Sequence, residues 1–193
     1  MASLLDKTLN TRQVLPNSYR FIRSEVPVEI TERDKKWLKD NKVLTIVDLR
    51  ELEATKVKHC PLEEDPDFNY VHMPVTVGMQ VPPTPEDVPI AYSMMVDDHL
   101  LNILDYIEKA PTNVMYFCNA GKDRTGVVSA MLARRAGCDR EYIVDNYVLS
   151  ADNLREMLTA FVKDHEGLDI NVVIPKRMYM EKFLDFVDSK GIR

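Results

Sequence analysis

Several classes of protein are ruled out by what this sequence has little of. It carries three cysteines, Cys60, Cys118 and Cys138, at unrelated spacings and with no Cys-x-x-Cys pair. Neither a zinc site nor a disulfide framework is suggested, so a reducing compartment is the expected setting. There is no basic excess. The formal net charge of −6 argues against a nucleic-acid partner, although it leaves room for a locally positive pocket. No window approaches the about 18 consecutive apolar residues that read as a membrane-spanning helix. The opening stretch Met1–Lys7 has an acid at Asp6 and no apolar core, so no ordinary signal peptide is read there. The expected location is cytoplasmic, and a signal-independent export route would leave no mark. No internal repeat or low-complexity tract is present.

With 45% apolar and 29% charged residues over 193 positions, the chain can bury a substantial core and is expected to form one domain over residues 1–193. Residues 1–17 are polar and mixed and read as an irregular lead-in. Tyr19 to Ser24 reads as a short strand with Tyr19, Phe21 and Arg23 on one face. Thr31 is a good N-cap, with Asp34 as first-turn acid, for a short helix to Lys39 that turns Trp37 and Leu38 inward. Val43–Leu49 is almost continuously apolar and β-branched, the pattern of a central parallel strand. Its end carries Asp48 and Arg50, where ligands gather in open α/β sheets. Glu51 to His59 reads as a helix or loop exposing Lys56, Lys58 and His59, a solvated charged face. Phe68 to Pro74 suggests another strand.

The stretch 74–91 holds prolines at 74, 82, 83, 85 and 89 together with Gly78. Its length and composition suggest a functional loop, expected as a lid over the site. From Tyr92 to about Lys109 the apolar spacing is helical. Further helices are expected after Asp139, from about Ala151, and from about Pro175. Together these features predict an α/β fold with a central, mostly parallel sheet flanked by helices and a helical C-terminal half on one face.

The chemistry concentrates in Phe117-Cys118-Asn119-Ala120-Gly121-Lys122-Asp123-Arg124-Thr125-Gly126. An apolar strand, Asn113–Phe117, precedes it, and a helical run, Val127–Arg135, follows. Strand, tight loop and helix N-terminus together make an anion cradle of backbone N–H groups and positive dipole end. A cysteine at the mouth of such a loop is a candidate nucleophile, and both the helix terminus and the Arg124 cation favour its thiolate. Such a thiolate can attack phosphorus and form a phosphocysteine. Arg124, with a planar fork, can clamp two phosphoryl oxygens. Thr125 can hydrogen-bond the sulfur and ease its departure, while Gly121 and Gly126 permit the tight loop. The phosphate-binding set is thus Asn119, Ala120, Gly121, Lys122, Asp123 and Arg124. A nucleotide P-loop is excluded, because it needs a glycine at position 116 and a hydroxyl at 123, where this chain has Tyr116 and Asp123. Cys60 and Cys138 lack any such setting and read as inert thiols.

These residues resemble the signature of the cysteine-dependent protein tyrosine phosphatases, His-Cys-x5-Arg-(Ser/Thr)-Gly. More narrowly, Ala120–Gly126 is similar to the loop of the atypical bacterial members. Asp48-Leu49-Arg50, Arg23-Ser24 and Tyr147-Val148-Leu149-Ser150 resemble that group's flanking elements, so the likeness covers residues 17–190. It implies a protein tyrosine phosphatase-like fold and hydrolysis of phosphotyrosine without metal or cofactor. In this branch it also implies phosphoserine, phosphothreonine or phosphoinositide substrates, so the expected partner is a phosphorylated protein or a phosphoinositide. Lys122 resembles the lysines of lipid-phosphatase loops. The resemblance favours Asp123 as general acid, with Asp48 as the rival, although Asp48 can instead pair with an arginine and orient the loop. The Pro-rich region adds Glu86, Asp87, Asp97 and Asp98 as further carboxylates. Phe117 stands where the family usually has histidine. It motivates one alternative, a phosphoprotein-binding module with little turnover. A rhodanese-like sulfurtransferase, which also sets a cysteine in an anion-binding loop, is the other.

Overall fold

The computed structural model describes residues 3–77 and 80–192; Gly78, part of the expected Pro-rich lid, lies outside them. Five strands form one sheet: β1 (Arg12–Leu15), β2 (Ser18–Glu25), β3 (Val43–Asp48), β4 (Asn69–His72) and β5 (Asn113–Cys118). Their spatial order is β1-β2-β5-β3-β4. All neighbours are parallel except β1 and β2, so the sheet is mostly parallel, as the apolar strands predict. β1 corrects the expected irregular lead-in. Alternation is present there, but its buried positions are Val14 and the cation Arg12, and an arginine does not read as an inward-facing residue.

The helices are α1 (Glu32–Asp40), α2 (Leu52–Val57), α3 (Val88–Met94), α4 (Asp98–Lys109), α5 (Arg124–Arg135), α6 (Arg140–Asn153), α7 (Arg155–Lys163), α8 (Ile170–Val173) and α9 (Arg177–Ser189). Thr31 caps α1, and Asp34 completes a reciprocal capping box, which satisfies two otherwise orphaned amides. The single helix expected from Tyr92 to Lys109 is two. Asp97 adopts an extended conformation and its side chain accepts from Leu100 N, so a new N-cap interrupts the apolar spacing. The end of the Pro-rich stretch is helical from Val88, because Pro89 sits in the first turn of α3, where its missing N–H is harmless. The helix expected from Ala151 begins at Arg155, since α6 runs on to Asn153. No helix of the described residues is long and apolar enough to cross a membrane.

Two cores sandwich the sheet. On one face Phe21, Val47, Leu49, Val114, Tyr116 and Cys118 pack with side chains of α3, α4, α5, α6 and α9. On the other, Ile22, Val43, Ile46, Met115 and Phe117 pack with Leu38 of α1 and with Cys60, Leu62 and Phe68. Period-two alternation along β5 therefore decides everything about position. Cys118 and Tyr116 point to the helical face, while Phe117 and Met115 point away from it. Because β5 lies between β2 and β3, the loop after Cys118 is flanked by the chain leaving both neighbours. Val26 N donates to Asn119 O (3.3 Å) and Leu49 N to Phe117 O (2.9 Å).

Candidate active site

The loop between β5 and α5 turns on Gly121, whose φ is +65°. A side chain here would be strained by that angle and would also have no room. A Cβ would lie 2.3 Å from Ser24 O and 2.4 Å from Glu25 N, both backbone atoms. The loop is thus pressed onto the end of β2, and two side chains hold it there with three hydrogen bonds. Asn10 Nδ2 donates to Gly121 O at 3.1 Å and to Ala120 O at 3.4 Å, and Arg23 Nη2 donates to Gly121 O at 3.0 Å. With carbonyls turned outward onto these donors, the loop's amides are left for the inner side, and α5 begins directly at Arg124. An anion at that point meets the positive end of a twelve-residue helix.

A cavity of about 530 Å³ opens on this loop and is lined by Cys118, Asn119, Ala120, Lys122, Asp123 and Arg124. Of the expected phosphate-binding set, only Gly121 is not part of the lining; it forms the underside instead. The walls are largely apolar: Tyr92, Met95 and Ala91 on one side, and Met157, Leu158, Phe161, Val172 and Val173 on another. Val81 and Pro82, from the Pro-rich stretch, also line it. Arg124 is 7% exposed. Its Nη1 donates to both oxygens of Glu51, at 2.9 and 2.8 Å. Its Nε and Nη2 have no partner among the described residues, which leaves one edge of the fork for an anion. Burial opposes the Arg124 charge, but the neighbouring Cys118 and Glu51 outweigh it and hold its pKa above the ordinary value. Thr125 is fully buried with its hydroxyl unpartnered, so a hydrogen-bond donor is available immediately after the arginine.

Asp123 sits at the rim of the loop, where two side chains converge on its carboxylate. Tyr92 Oη donates to Oδ1 at 2.5 Å, and Lys122 Nζ lies 3.0 Å from Oδ1 and 2.8 Å from Oδ2. Tyr92 Oη in turn is 2.7 Å from Tyr147 Oη. Lys122, only 8% exposed, is therefore an internal ion-pair partner and not an outward cation.

Asp48 is elsewhere. Its register partner is Phe117, so it shares that residue's face and points away from Cys118. Both oxygens are taken by Arg50, with contacts of 2.6 to 3.1 Å, and Oδ2 also accepts from Tyr70 Oη at 2.6 Å. Asp48 and Arg50 are each 0% exposed, which removes Asp48 from the groups that face the cavity. Its expected alternative, an ion pair with an arginine, is what is found. Phe117 lies beneath the Arg50 guanidinium, 5.3 Å from ring centroid to charge, and does not line the cavity. Glu86, Asp87, Asp97 and Asp98 do not line it either.

Reading the residues alone missed Glu51, Asn10 and Tyr92. Glu51 opened a stretch that read as a solvated charged face, and only the approach of β3 to β5 brings it to Arg124. Tyr92 carried a usable signal, a hydroxyl on an otherwise apolar helix face, since a buried tyrosine needs a partner for its O–H.

A 41-residue stretch, 21% of the chain, is 46% identical to a tyrosine-protein phosphatase of Nostoc commune, and it spans 14% of that protein. The fold is similar to that of the P. aeruginosa protein TpbA, with a TM-score of 0.52 at 19% identity over 93% of this chain and 95% of that one. A Cys-to-Ser variant of TpbA in complex with pTyr matches with the same TM-score at 18% identity, over 93% and 94%. The sequence profile of the tyrosine phosphatase family matches residues 7–191, and since that span takes in the sheet, the Cys118 loop and every helix, this chain belongs to the tyrosine phosphatase family.

Proposed function

We propose that the chain hydrolyses phosphotyrosine monoesters through a phosphocysteine formed on Cys118. The observation that carries this reading is the convergence of Cys118 and the open edge of Arg124 on one cavity with apolar walls. The phosphoryl group sits in the loop 118–124, held by backbone amides and by Nε and Nη2 of Arg124. The Cys118 thiolate attacks phosphorus as the bond to the phenolic oxygen breaks, and Asp123 gives that oxygen its proton. Water then attacks the phosphocysteine, passes a proton back to Asp123, and the sulfur leaves as a thiolate. The Thr125 hydroxyl, buried without a partner, donates to the sulfur as it departs.

The walls favour an aryl ester among the finer substrate readings. A phenyl ring buries apolar surface against Tyr92, Met157 and Phe161, a contribution of about 25 cal/mol per Å². An inositol ring would place hydroxyls against the same side chains without hydrogen-bond partners, at a cost. Lys122 already has Asp123, so extra phosphates gain little from it. Phosphoserine and phosphothreonine, with poorer leaving groups, depend more heavily on the Asp123 proton.

The test is phosphate release from phenyl phosphate with a chelator present. Turnover is expected in the wild type and none in Cys118→Ser. Chelator-sensitive turnover, or turnover surviving Cys118→Ser, would reject the mechanism. Faster hydrolysis of a phosphoinositide than of a phosphotyrosine peptide would reject the substrate preference.

A further inference from the structure

Lys122 contacts both oxygens of the Asp123 carboxylate, Oδ1 at 3.0 Å and Oδ2 at 2.8 Å, and what distinguishes the two oxygens originates in two tyrosines outside the signature loop. Tyr92 on α3 and Tyr147 on α6 are 2% and 1% exposed. Their rings meet edge to face, with centroids 6.1 Å apart and planes at 81°. A phenol has one proton to give. Tyr92 gives its proton to Asp123 Oδ1 at 2.5 Å, a length typical of an O–H donor on a charged oxygen. In the 2.7 Å contact between the two phenols, Tyr147 must then be the donor. The direction of the chain is fixed: Tyr147 O–H to Tyr92 O, then Tyr92 O–H to Asp123 Oδ1. Burial, and then the Asp123 charge, push both phenols well above their ordinary pKa, so both stay protonated donors through the working pH range.

The glycine that ends the signature serves the same chain. A Cβ on Gly126 would lie 3.2 and 3.3 Å from Cδ2 and Cε2 of Tyr147. That is tighter than an ordinary contact, so the absence of a side chain there is what admits the Tyr147 ring. Phe183 of α9 meets Tyr92 edge to face from another side, with centroids 6.3 Å apart.

Resting on the reading of Asp123 as general acid, we propose that Tyr92, itself oriented by Tyr147, is a positioning residue that anchors Oδ1 and so presents Oδ2, which among the described residues only Lys122 contacts, as the oxygen that exchanges a proton with the leaving group. In the first step the proton on Oδ2 moves to the ester oxygen as the P–O bond breaks. The carboxylate formed is held by Tyr92 on Oδ1 and by Lys122. In the second step the attacking water returns a proton to Oδ2 as the S–P bond breaks. Tyr147 does not line the cavity, and its hydroxyl bonds to Tyr92 rather than to Asp123.

Leaving-group dependence separates this role from a merely structural one. An alkoxide needs its proton in the transition state far more than a nitrophenolate does. Wild type, Tyr147→Phe, Tyr92→Phe and Asp123→Asn are compared on an alkyl phosphate and on p-nitrophenyl phosphate, with thermal midpoints measured alongside. For Asp123→Asn the alkyl substrate should lose roughly 10²-fold or more in kcat, the usual scale of general-acid catalysis, and the nitrophenyl ester far less. Tyr147→Phe and Tyr92→Phe should show the same selectivity on a smaller scale, about tenfold on the alkyl ester and within about twofold on the nitrophenyl ester, for one misoriented hydrogen bond. If Asp123→Asn is selective while both tyrosine variants lose equally on the two substrates, or lose nothing, the positioning role is overturned and the acid stands. If Asp123→Asn itself loses equally on both, the acid reading fails and the tyrosine role falls with it. Should Tyr147→Phe fail to fold, Tyr92→Phe decides the matter alone.

Discussion

Arg124 and Arg50 occupy the ends of the same part of the sheet, on opposite faces, and their surroundings differ in one respect. The Arg50 side chain is used completely: Nε and Nη2 go to Asp48, Nη1 goes to Lys58 O at 2.7 Å, and the Phe117 ring covers its face. Arg124 is anchored at Nη1 by Glu51 and keeps its other donors open to a cavity. A buried cation with every donor matched is a structural brace. A buried cation held on one side only is a candidate binding site, because unmatched donors in a low-dielectric place cost stability unless a ligand completes them. The aspartates repeat the contrast. Asp48 is held by Arg50 and Tyr70 and sealed from solvent, whereas Asp123, held by Tyr92 and Lys122, lines the cavity.

That contrast can be broken first at the loop's turning point. Gly121→Ala should bring activity to background and lower the thermal midpoint, since the new Cβ meets Ser24 and Glu25 backbone at 2.3–2.4 Å and left-handed strain adds about 1–3 kcal/mol. Gly137→Ala is the control. It also has positive φ, at +80°, but nothing lies within 4 Å of its Cβ, so activity should survive. Next comes the opposite face. Asp48→Ala should cost about 3–5 kcal/mol of stability by stranding the buried Arg50, readable as a lower denaturant midpoint. Its folded fraction should show equal kcat changes on alkyl and aryl phosphates, and a selective loss on the alkyl ester would restore Asp48 as an acid. A smaller effect is expected at Glu51→Gln. Its carboxylate both orients Arg124 and repels an incoming phosphate. Because both oxygens grip Nη1 alone, orientation should dominate, with kcat down about tenfold, the scale of one hydrogen bond to a charged group. The smallest perturbation compares the two buried thiols. Burial pushes Cys60 up to about 12, so iodoacetamide at neutral pH should alkylate Cys118 in step with inactivation and leave Cys60 unmodified in peptide mapping.

Local chemistry made much of this legible. The capped α1, the apolar β3 and β5, and the strand-loop-helix around Cys118 each follow from residues close in sequence. What stayed hidden depends on pairing between distant segments. Asp48 and Cys118 both stand at strand ends, and only the register of Asp48 with Phe117 shows that they face opposite ways. Strand β1 was hidden because its inward position is filled by Arg12, which donates to Asn146 O at 2.7 Å and Ser150 Oγ at 2.8 Å. Those partners come from α6, more than 130 positions away. Glu51 and Asn10 were hidden for the same reason, as was the contact that joins Tyr92 and Tyr147 to Asp123. Phe117 illustrates the gain from structure: as a departure from the family's histidine it cast doubt on turnover, yet its side chain belongs to the Arg50 face.

The reading stands most directly on a covalent bond. Wild-type protein mixed with p-nitrophenyl phosphate and acid-quenched during turnover should carry one phosphoryl group, located by mass spectrometry on the Cys118 peptide and absent in Cys118→Ser. Sustained hydrolysis with no phosphoryl group on Cys118, or undiminished turnover in Cys118→Ser, would contradict it.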